Sequence, residues 1–363
     1  MAKEKTEVSE KRIVVLEGDG IGLEVVREGV RFLKAIQDRL PFRLKFDRFP
    51  IGGRCLRKEG LPILPQTIES CQDSDAVLLG AVGDPRFDDN PPHLRPEKAL
   101  LDLRASLGTY CNLRPAKIYP ALYPASSLKN ELVAGMDLLV VRELTGGIYF
   151  GQPSLRQNGP EGRSALDTMI YSEMEVARIA RWAFRMAGAR RGKVTSVDKA
   201  NVLKSSQLWR EVVGEIAEEF PEVALEHMLV DNCAMQLTRR PTQFDVILTG
   251  NMFGDILSDE ASAITGSIGL LPSASLGDGA PLYEPVHGSA PDIAGQDKAN
   301  PIAMIGAIAM MFQFTFGLPE LARDIEKSIE VTLEKGFHTP DLALPGGQLV
   351  TTEEMTDRIL EGL

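Results

Sequence analysis

Residues 13–39 read IVVLEGDGIGLEVVREGVRFLKAIQDR, and this stretch decides the fold class. The apolar run at 13–16 predicts a buried strand, and the residues from 23 to 39 predict an amphipathic helix. The glycine-rich turn at 18–22 does not match the Rossmann fingerprint G-x-G-x-x-G, whose third glycine falls at Leu23. The stretch therefore predicts a tight strand-to-helix turn of an α/β fold, not a standard Rossmann fold.

The same alternation of apolar strand and amphipathic helix recurs along the chain. Further strands are predicted at residues 76–79, 137–141, 192–197 and 244–248, and helices at 172–187 and 205–219. This order is typical of a largely parallel sheet covered by helices. Two segments interrupt it: the polar residues 151–168 predict an exposed loop or arm, and residues 266–300, rich in glycine and proline, predict a long irregular functional segment.

The composition limits the possible partners and the compartment. A chain of 363 residues with a net charge of −11 predicts two domains or one large α/β unit, and it argues against nucleic acid binding. No apolar run approaches the ~20 residues that a membrane span needs. The four cysteines form no CxxC pair, and the first twelve residues lack the apolar core of a secretory signal. We therefore expect a cytoplasmic enzyme with neither a nucleic acid nor a membrane partner.

The richest segment for chemistry is TGNMFGDILSDE at residues 249–260. It follows a predicted strand and resembles the start of a helix, which places Asp255 and Asp259 one turn apart on the same face. A hard divalent cation would relieve the repulsion between these carboxylates. The alternative is a solvated acidic helix face. The apolar neighbours and the position at a strand end favour the metal site.

Other charged residues follow apolar segments in the same way. Lys199 stands at a strand exit, where it is either a surface charge or a proton-transfer group, and Asp231 opens an apolar stretch, where a helix N-cap is the alternative. Arginines that follow apolar residues are expected to have partners, and a carboxylate fits their fork. Each alone predicts a structural ion pair, but together with the aspartates and the lysine they indicate an anionic substrate beside a metal. These arginines are Arg104, Arg114 and Arg142.

Long motifs across the chain resemble one enzyme family, the β-decarboxylating dehydrogenases that act on isopropylmalate and isocitrate. The similarity runs from about Lys11 to the C-terminus. The motifs are GDGIG, RPEKALLDLR, NLRP, VVRELTGGIYFG, VDKANVL, GNMFGDILSDEAS, LLPSASLG and EPVHGSAPDIAGQDKANP. The resemblance implies two α/β domains that are not Rossmann folds, one comprising residues 1–108 plus 266–363 and the other 109–265, with the active site in the cleft and an arm that pairs two subunits.

The resemblance also implies roles for the charged residues. Similar enzymes are homodimers with shared active sites, in which each site takes Lys199 and Asp231 from the partner. Asp255, Asp259 and that Asp231 would hold one Mg²⁺ or Mn²⁺ per site. Lys199 would remove the hydroxyl proton as hydride passes to NAD, and Tyr149 would supply a proton to the enolate carbon. The arginines Arg104, Arg114 and Arg142 would hold the carboxylates of a 2-hydroxy dicarboxylate.

In similar proteins one loop wraps the adenosine half of NAD. The residues that the resemblance assigns to the cofactor here are Glu97, Glu284, His287, Gly288, Ser289, Ala290, Pro291, Asp292, Ile293 and Asn300. Asp292 is the informative one, because a carboxylate accepts hydrogen bonds from both ribose hydroxyls and repels the 2′-phosphate of NADP. The sequence therefore predicts NAD as the cofactor.

Members of the family share the malate part of the substrate and differ in its third substituent, and the resemblance places Glu97, Leu100 and Leu101 beside that substituent. The two leucines face the same way as Glu97 on a helix and offer an apolar wall to an isopropyl group, where a third carboxylate could not be satisfied. We therefore expect 3-isopropylmalate to be oxidised and decarboxylated to 4-methyl-2-oxopentanoate and CO₂, a step of leucine biosynthesis. Tartrate or D-malate is the alternative substrate, and a binding protein without catalysis is the remote alternative, although Lys199 and Tyr149 are both retained.

The sequence departs from the usual family pattern at three places. Leu23 stands where a proline commonly follows GDGIG, Asp84 replaces a frequent glycine, and the arm segment 152–166 differs from the commonest versions. The arm could change the dimer contacts, and Asp84 could change the nicotinamide pocket. None of these departures falls on a predicted metal, arginine, lysine or tyrosine position.

Overall fold

The computed structural model describes residues 9–342 and 344–363. The chain divides into two compact units, each of which is discontinuous in sequence. The first unit comprises the described residues up to Leu107 together with Gly269–Ala274 and Asp278–Leu363, and the second comprises Gly108–Ile268 and Ser275–Gly277. The predicted residues of chemical interest are therefore distributed over both units.

The strands and helices alternate along most of the chain. The strands are β1 (Glu10–Gly18), β2 (Arg43–Phe49), β3 (Ala76–Ala81), β4 (Cys111–Lys117), β5 (Asp137–Glu143), β6 (Leu155–Gly159), β7 (Gly162–Leu166), β8 (Lys193–Asp198), β9 (Ala224–Leu229), β10 (Val246–Thr249), β11 (Pro272–Leu276), β12 (Leu282–Pro285), β13 (Phe337–His338) and β14 (Gln348–Leu349). The helices are α1 (Gly22–Ala35), α2 (Gly52–Glu59), α3 (Pro65–Gln72), α4 (Pro96–Leu107), α5 (Asn130–Val133), α6 (Glu173–Gly188), α7 (Lys204–Ala217), α8 (Val230–Arg239), α9 (Asn251–Thr265), α10 (Ile302–Phe314), α11 (Pro319–Glu334) and α12 (Thr352–Leu360).

The first unit is built on parallel strands in the order β2-β1-β3-β12. Val14 and Leu16 of β1 face one side and pack with Val77 and Leu79 of β3, so the alternate residues of neighbouring strands form one apolar layer. Leu103 of α4 closes this layer and is fully buried. The first unit therefore has its own hydrophobic core beneath the glycine-rich turn that ends β1.

The second unit is built on strands in the order β4-β5-β10-β8-β9. All pairs are parallel except β4 with β5, which is antiparallel. The predicted helix at 172–187 is α6, which begins with a capping box in which Ser172 and Glu175 bond each other's backbone amides. The carboxyl ends of β5, β10 and β8 therefore meet at one edge of this sheet.

Several boundaries differ from the sequence prediction. The predicted helix at 23–39 ends at Ala35 and continues only as a 3₁₀ turn, Gln37–Arg39. The predicted strand at 244–248 begins at Val246 and ends at Thr249. The buried carboxylate of Asp245, just before it, accepts hydrogen bonds from the backbone N–H groups of Arg191 and Lys193.

The two segments that interrupt the alternation also contain regular structure. The prediction of a wholly irregular segment at 266–300 is wrong, since it contains the buried strands β11 and β12. Both strands are short and flanked by glycine or proline, so the sequence does not predict them. Only their hydrogen bonds within the sheet identify them as strands. The arm at 151–168 forms an exposed antiparallel hairpin of β6 and β7. No helix in the described part of the chain is long and apolar enough to cross a membrane.

Candidate active site

The second unit gathers polar side chains at the edge where its parallel strands end. Arg142 near the end of β5 lies opposite Asn112 of β4 and beside Thr249 of β10, which pairs in turn with Val197 of β8. Residues paired across neighbouring strands present their side chains to the same face. The segments that follow the parallel strands β5, β10 and β8 start from this edge, whereas the antiparallel β4 begins there. Open α/β sheets hold their ligands at this edge.

The predicted aspartate pair lies on α9, the helix that starts directly after β10. Asp255 accepts a hydrogen bond from Arg142 Nη1, and Arg114 Nη1 lies 3.4 Å from Asp255 Oδ1 and 3.7 Å from Asp259 Oδ1. Desolvation raises the pKa of Asp259, Arg114 opposes that rise, and the charge of Asp255 adds to it. The two carboxylates therefore repel each other as the sequence predicted, and two arginines offset part of that repulsion.

Both arginines are buried and held by further side chains. Arg114 donates from Nε to Asn112 Oδ1 at 2.7 Å and from Nη1 to Ser258 Oγ at 2.8 Å. Arg142 donates from Nε and Nη2 to Asn251 Oδ1 at 3.1 and 2.8 Å. A guanidinium bonded at several nitrogens keeps one orientation, which is what bidentate carboxylate binding requires. The sequence identified both arginines but not the residues that orient them.

Tyr149 also reaches the aspartate pair. It lies in the 3₁₀ turn Gly147–Tyr149, and its hydroxyl donates to Asp255 Oδ2 at 3.2 Å. The Arg142 guanidinium carbon lies 6.0 Å from the centre of the phenol ring. Burial and the charge of Asp255 raise the pKa of Tyr149, so the phenol keeps its proton at neutral pH. Tyr149 is thus protonated, as a proton donor must be.

Lys199 and Asp231 form a separate pair on the second unit. Lys199 Nζ donates to Asp231 Oδ1 at 2.7 Å, and this hydrogen bond holds the pKa of Asp231 below its ordinary value. The side chain of Asp231 is 59% exposed. Within residues 9–342 and 344–363, no group of three or more His, Cys, Asp or Glu residues is arranged to hold a metal. Asp231 therefore does not join Asp255 and Asp259 as a metal ligand within this chain.

Two predicted site residues of the first unit bind each other. Arg104 on α4 donates from Nη2 to Glu284 Oε1 at 2.6 Å, and both side chains are buried. The sequence predicted Arg104 for the substrate and Glu284 for the cofactor. A buried ion pair of this kind stabilises both side chains in defined positions.

The first turns of α4 carry the predicted specificity residues. Glu97 is exposed, and Leu100 and Leu101 are half-buried. Leu100 packs against the apolar core that includes Leu103. Leu100 therefore contributes to the packing of α4, and both leucines keep part of their apolar surface exposed.

The predicted cofactor loop at 287–293 packs against the glycine-rich turn after β1. Ile21 donates its backbone N–H to the carbonyl of Ser289 at 2.8 Å. Gly20 has φ +54°, and a Cβ there would lie 1.9 Å from the same carbonyl oxygen, so this position requires glycine. Ala290 has φ +37°, which is uncommon for a residue with a side chain. The glycine-rich turn and the cofactor loop therefore restrict each other's backbone conformation.

The side chains of the cofactor loop differ in their surroundings. His287 is buried and its Nε2 atom has no hydrogen-bond partner among the described residues, while burial lowers its pKa and keeps the ring neutral. Asp292 is exposed, as are Gly288 and Pro291, and Ile293 is half-buried. Asn300 accepts from the N–H of Ile302, the first residue of α10, and donates to Asp341, so both ends of its side-chain amide have partners.

One residue of the first unit was missed by the sequence reasoning. Asp19, the middle residue of Gly-Asp-Gly, is buried and accepts hydrogen bonds from the N–H groups of Gly53, Arg54 and Gly83 at 2.8, 3.0 and 3.1 Å. Burial raises its pKa, and the three amides oppose that rise. An aspartate between two glycines was a signal that could have identified it, since a carboxylate in a tight turn usually binds backbone amides.

An open cavity adjoins Asp19 in the first unit. Its volume is about 1090 Å³, and its lining includes Leu23, Gly83, Asp84 and Pro291. It therefore lies beside both the glycine-rich turn and the predicted cofactor loop, and two of the positions that depart from the common family pattern line it.

Comparison with known proteins gives the family. A family profile described as isocitrate/isopropylmalate dehydrogenase matches residues 12–359. The chain belongs to this family. Its membership confirms the predicted fold class and the prediction that the chain is a decarboxylating dehydrogenase.

Relatives of this family are similar over nearly their whole length. The 3-isopropylmalate dehydrogenase of Geobacillus kaustophilus is 58% identical over 96% of this chain and 94% of its own. That of Aquifex aeolicus is 53% identical over 97% of both chains. The crystal structure of isocitrate dehydrogenase from Methylococcus capsulatus superimposes with a TM-score of 0.87 at 34% identity, covering 97% of this chain and 99% of that one. A β-decarboxylating dehydrogenase from Thermococcus kodakarensis gives a TM-score of 0.78 at 36% identity, covering 97% and 96%.

Proposed function

We propose that this enzyme uses NAD to oxidise and decarboxylate 3-isopropylmalate, giving 4-methyl-2-oxopentanoate and CO₂. The observation that carries the proposal is the convergence of Arg114, Arg142 and Tyr149 on Asp255. Cations that bind carboxylates, a carboxylate pair and a protonated phenol are the groups that this reaction needs. The relatives at 53 to 58% identity are named 3-isopropylmalate dehydrogenases, which supports the same substrate here.

The aspartate pair suits a hard divalent cation. Asp255 and Asp259 offer only oxygen ligands, and a cation would relieve the repulsion that contributes to the raised pKa of Asp259. We propose that these residues hold Mg²⁺ or Mn²⁺ together with Asp231 of the partner subunit. Such an ion would polarise the C2 hydroxyl and the adjacent carboxylate of the substrate.

The protein's own side chains then move the protons and hold the substrate. We propose that Arg104, Arg114 and Arg142 bind the substrate carboxylates. Lys199 of the partner subunit takes the hydroxyl proton while the C2 hydride passes to NAD, the bond to the leaving carboxylate breaks to release CO₂, and Tyr149 protonates the carbon that is left. The hydroxyl of Tyr149 lies 3.2 Å from Asp255 Oδ2, and this position at the aspartate pair supports the last role.

A homodimer with shared sites is part of the proposal. Lys199 and Asp231 bind each other on an exposed face, apart from the metal pair of their own chain. Large apolar side chains are also exposed on the second unit, namely Leu155, Leu166, Met235 and Ile256. A second copy of the chain that covers them would bring its Lys199 and Asp231 to the aspartate pair.

We also propose that the enzyme is cytoplasmic.

NAD is the proposed cofactor because of the loop at 287–293. The buried Nε2 of His287 has no partner among the described residues, and such an atom is expected to bind a ligand or water. The exposed carboxylate of Asp292 is free to accept hydrogen bonds from ribose hydroxyls, and it would repel a 2′-phosphate.

Leu101, Leu100 and Glu97 favour 3-isopropylmalate over isocitrate. A half-buried leucine gives an isopropyl group an apolar contact but leaves a third carboxylate without a partner. Tartrate and D-malate are the alternative substrates within the family. They lack the isopropyl group and would leave this pocket empty.

The test is NADH formation by the purified enzyme with Mn²⁺ and each of 3-isopropylmalate, isocitrate, tartrate and D-malate. We expect a strong preference for 3-isopropylmalate, no activity after chelation of the metal, and NAD preferred to NADP. Preference for a small malate would overturn the substrate proposal and keep the chemistry. Absence of turnover with every substrate by the folded protein would support the non-catalytic alternative.

A further inference from the structure

We propose that Asn251 is a positioning residue that holds both Arg142 and the loop carrying Tyr149 against Asp255. Asn251 is the first residue of α9 and is 1% exposed. The effect that we expect on catalysis rests on the proposed function. The effect that we expect on the position of the loop rests on the structure alone.

The side chain of Asn251 makes every hydrogen bond that an asparagine can make. Its Oδ1 accepts from Arg142 Nε at 3.1 Å and Nη2 at 2.8 Å. Its Nδ2 donates to the carbonyl oxygens of Leu144 and Gly146, each at 3.1 Å. An amide oxygen accepts two hydrogen bonds and an amide nitrogen donates two, so the capacity of the group is filled. One side chain thus links β5 and the loop after it to the start of α9.

This link places both groups that contact Asp255. Arg142 uses Nη1 for Asp255 while its other nitrogens bind Asn251, so the guanidinium plane is determined by α9 at both points. Tyr149 follows Gly146 by three residues, and its hydroxyl lies 3.2 Å from Asp255 Oδ2. Asn251 and Asp255 are one turn apart on the same helix, so the residue that orients these groups and the residue that they bind move together.

The backbone of Asn251 is held in turn by Tyr171. The N–H of Asn251, one of the donors without an intrahelical partner at the start of α9, donates to Tyr171 Oη at 2.8 Å. A Cβ at Gly147 would lie 2.4 Å from that hydroxyl, and one at Gly250 would lie 2.9 Å from it. The phenol therefore occupies a slot that only glycines leave open, between the Tyr149 loop and α9.

Glu143 binds the same loop from the other side. Its buried carboxylate accepts from the N–H groups of Thr145 and Gly146 at 3.0 and 2.7 Å, and from Thr145 Oγ1 at 3.0 Å. Glu143 thus satisfies N–H groups where Asn251 satisfies carbonyl groups. Because Glu143 remains when Asn251 is changed, we expect the loop to loosen without the unit unfolding.

The chain provides a set of variants that separate positioning from stability. Asn251→Asp keeps an oxygen acceptor for Arg142 but loses the two donors to the loop, whereas Asn251→Ala loses both. Asp245→Asn is the matched control: Asp245 is 2% exposed, lies at the opposite end of β10 and binds the backbone of the β8 segment, far along the strand from Arg142. Tyr171→Phe removes only the hydroxyl that accepts from Asn251.

The first measurement is amide hydrogen exchange of the peptide covering residues 143–150, which does not depend on activity. We expect exchange about tenfold faster in Asn251→Ala and Asn251→Asp, and unchanged in Asp245→Asn, because two carbonyl anchors of the loop are lost. Unchanged exchange in both Asn251 variants, with the protein folded, would overturn the inference.

The second measurement is steady-state kinetics with 3-isopropylmalate. We expect kcat/KM to fall about 10- to 100-fold in Asn251→Ala, as for other residues that orient site groups, with the KM for NAD unchanged. Asn251→Asp should recover most of the KM for 3-isopropylmalate through Arg142 but keep the low kcat of a misplaced Tyr149. Equal losses in Asn251→Asp, Asn251→Ala and Asp245→Asn would indicate a merely structural role and contradict the inference.

These two readouts distinguish the possible failures. If the wild-type enzyme turns over none of the substrates while exchange at 143–150 still responds to Asn251, the proposed function fails and the positioning of the loop stands. If the wild type and Asp245→Asn are active and Asn251→Ala matches them in both readouts, only the positioning inference fails. Should Asn251→Ala not fold, Asn251→Asp and Tyr171→Phe provide the same comparison, with faster exchange and lower kcat expected in each.

Discussion

The two units bind the carboxylates of their aspartates in different ways, as Asp255 of α9 and Asp19 after β1 show. In the second unit Asp255 binds side chains, namely Arg142 and Tyr149, with Arg114 nearby. In the first unit Asp19 binds three backbone N–H groups and no side chain is needed to hold it. Side chains can exchange one partner for a ligand, whereas a carboxylate bound to the backbone shapes the turn. We therefore propose that the second unit provides the reacting groups and that the first provides a shaped binding surface.

The pKa directions agree with this comparison. Burial raises the pKa of Asp19, and its opposing interactions are backbone amides, which have no net charge. At Asp259 the charge of Arg114 lowers the pKa, whereas the charge of Asp255 raises it further. A cation or an anionic substrate would change the pKa of Asp259 directly through its charge. It would change the pKa of Asp19 only if the glycine-rich turn moved.

The largest expected effect is that of Asp255→Asn, which tests whether the second unit carries the chemistry. We expect kcat/KM for 3-isopropylmalate to fall roughly 1000-fold, because several kcal/mol of charge stabilisation are lost and each ~1.4 kcal/mol is a factor of ten. Mn²⁺ affinity, measured by titration calorimetry, should fall with it, and the KM for NAD should stay within about twofold. The exposed Asp324→Asn is the control, and activity within tenfold of wild type would contradict the assignment.

Tyr149→Phe sharpens the comparison within the second unit. Removal of the phenol proton should lower kcat roughly 100-fold, the usual contribution of a positioned general acid, and leave Mn²⁺ affinity unchanged. The KM for 3-isopropylmalate should change little, since the arginines remain. A fall in Mn²⁺ affinity equal to that of Asp255→Asn would show that Tyr149 acts on the metal site instead of on proton transfer.

Asp292→Ser tests the assignment of the first unit to the cofactor. Loss of two hydrogen bonds to ribose should raise the KM for NAD roughly tenfold and reduce the discrimination against NADP, with kcat retained. Asp278→Ser changes another exposed aspartate of the same unit and should do neither. If kcat fell while the KM for NAD stayed constant, the assignment of cofactor binding to this loop of the first unit would be wrong.

The smallest expected effect is that of Asp84→Asn on stability. Asp84 is buried and binds Arg86 and Arg57, and these partners hold its pKa below the ordinary value, with Arg86 contributing most. A depressed pKa stabilises the fold above the ordinary Asp range, and this stabilisation is lost as the pH falls through the folded-state pKa. Because both guanidinium groups are exposed and screened, we expect a deficit of about 1 kcal/mol at neutral pH.

Denaturant unfolding of the wild type and Asp84→Asn at neutral and acid pH measures this deficit. It should shrink as the pH falls from the ordinary Asp pKa of ~3.9 to the lower folded-state pKa, below which the wild-type carboxyl is protonated as well. A deficit that is constant across this range would mean that Asp84 acts through packing and not through its charge.

Most of the elements could be predicted from the sequence, and so could several candidate residues that the structure brings to Asp255, for local reasons. The spacing of Asp255 and Asp259 requires only a helix, and the strand ends that carry Arg142 and Lys199 show in the apolar runs before them. The strands β11 and β12 could not be predicted, because they are short and lie among glycines and prolines. Only their pairing in the sheet makes them strands.

The residues that orient the site depend on contacts distant in the sequence. Asn251 stands inside the most recognisable motif, yet its importance comes from Arg142 and the carbonyls of Leu144 and Gly146, more than a hundred residues earlier. Asp19 acquires its role in the same way, from amides near residues 53 and 83. The Gly-Asp-Gly pattern could have indicated that Asp19 binds backbone amides, but no local pattern shows which amides these are or marks Asn251.

The sequence by itself determined the fold class, the family and the chemical types at the site, because strand and helix periodicity and the long motifs are local properties of the chain. The tertiary structure decided which of these groups contact each other. It placed Arg114, Arg142 and Tyr149 on Asp255, and it paired Lys199 with Asp231 away from them. The physical reason is that hydrogen bonds and ion pairs act over a few ångströms, and folding alone sets which distant residues come that close.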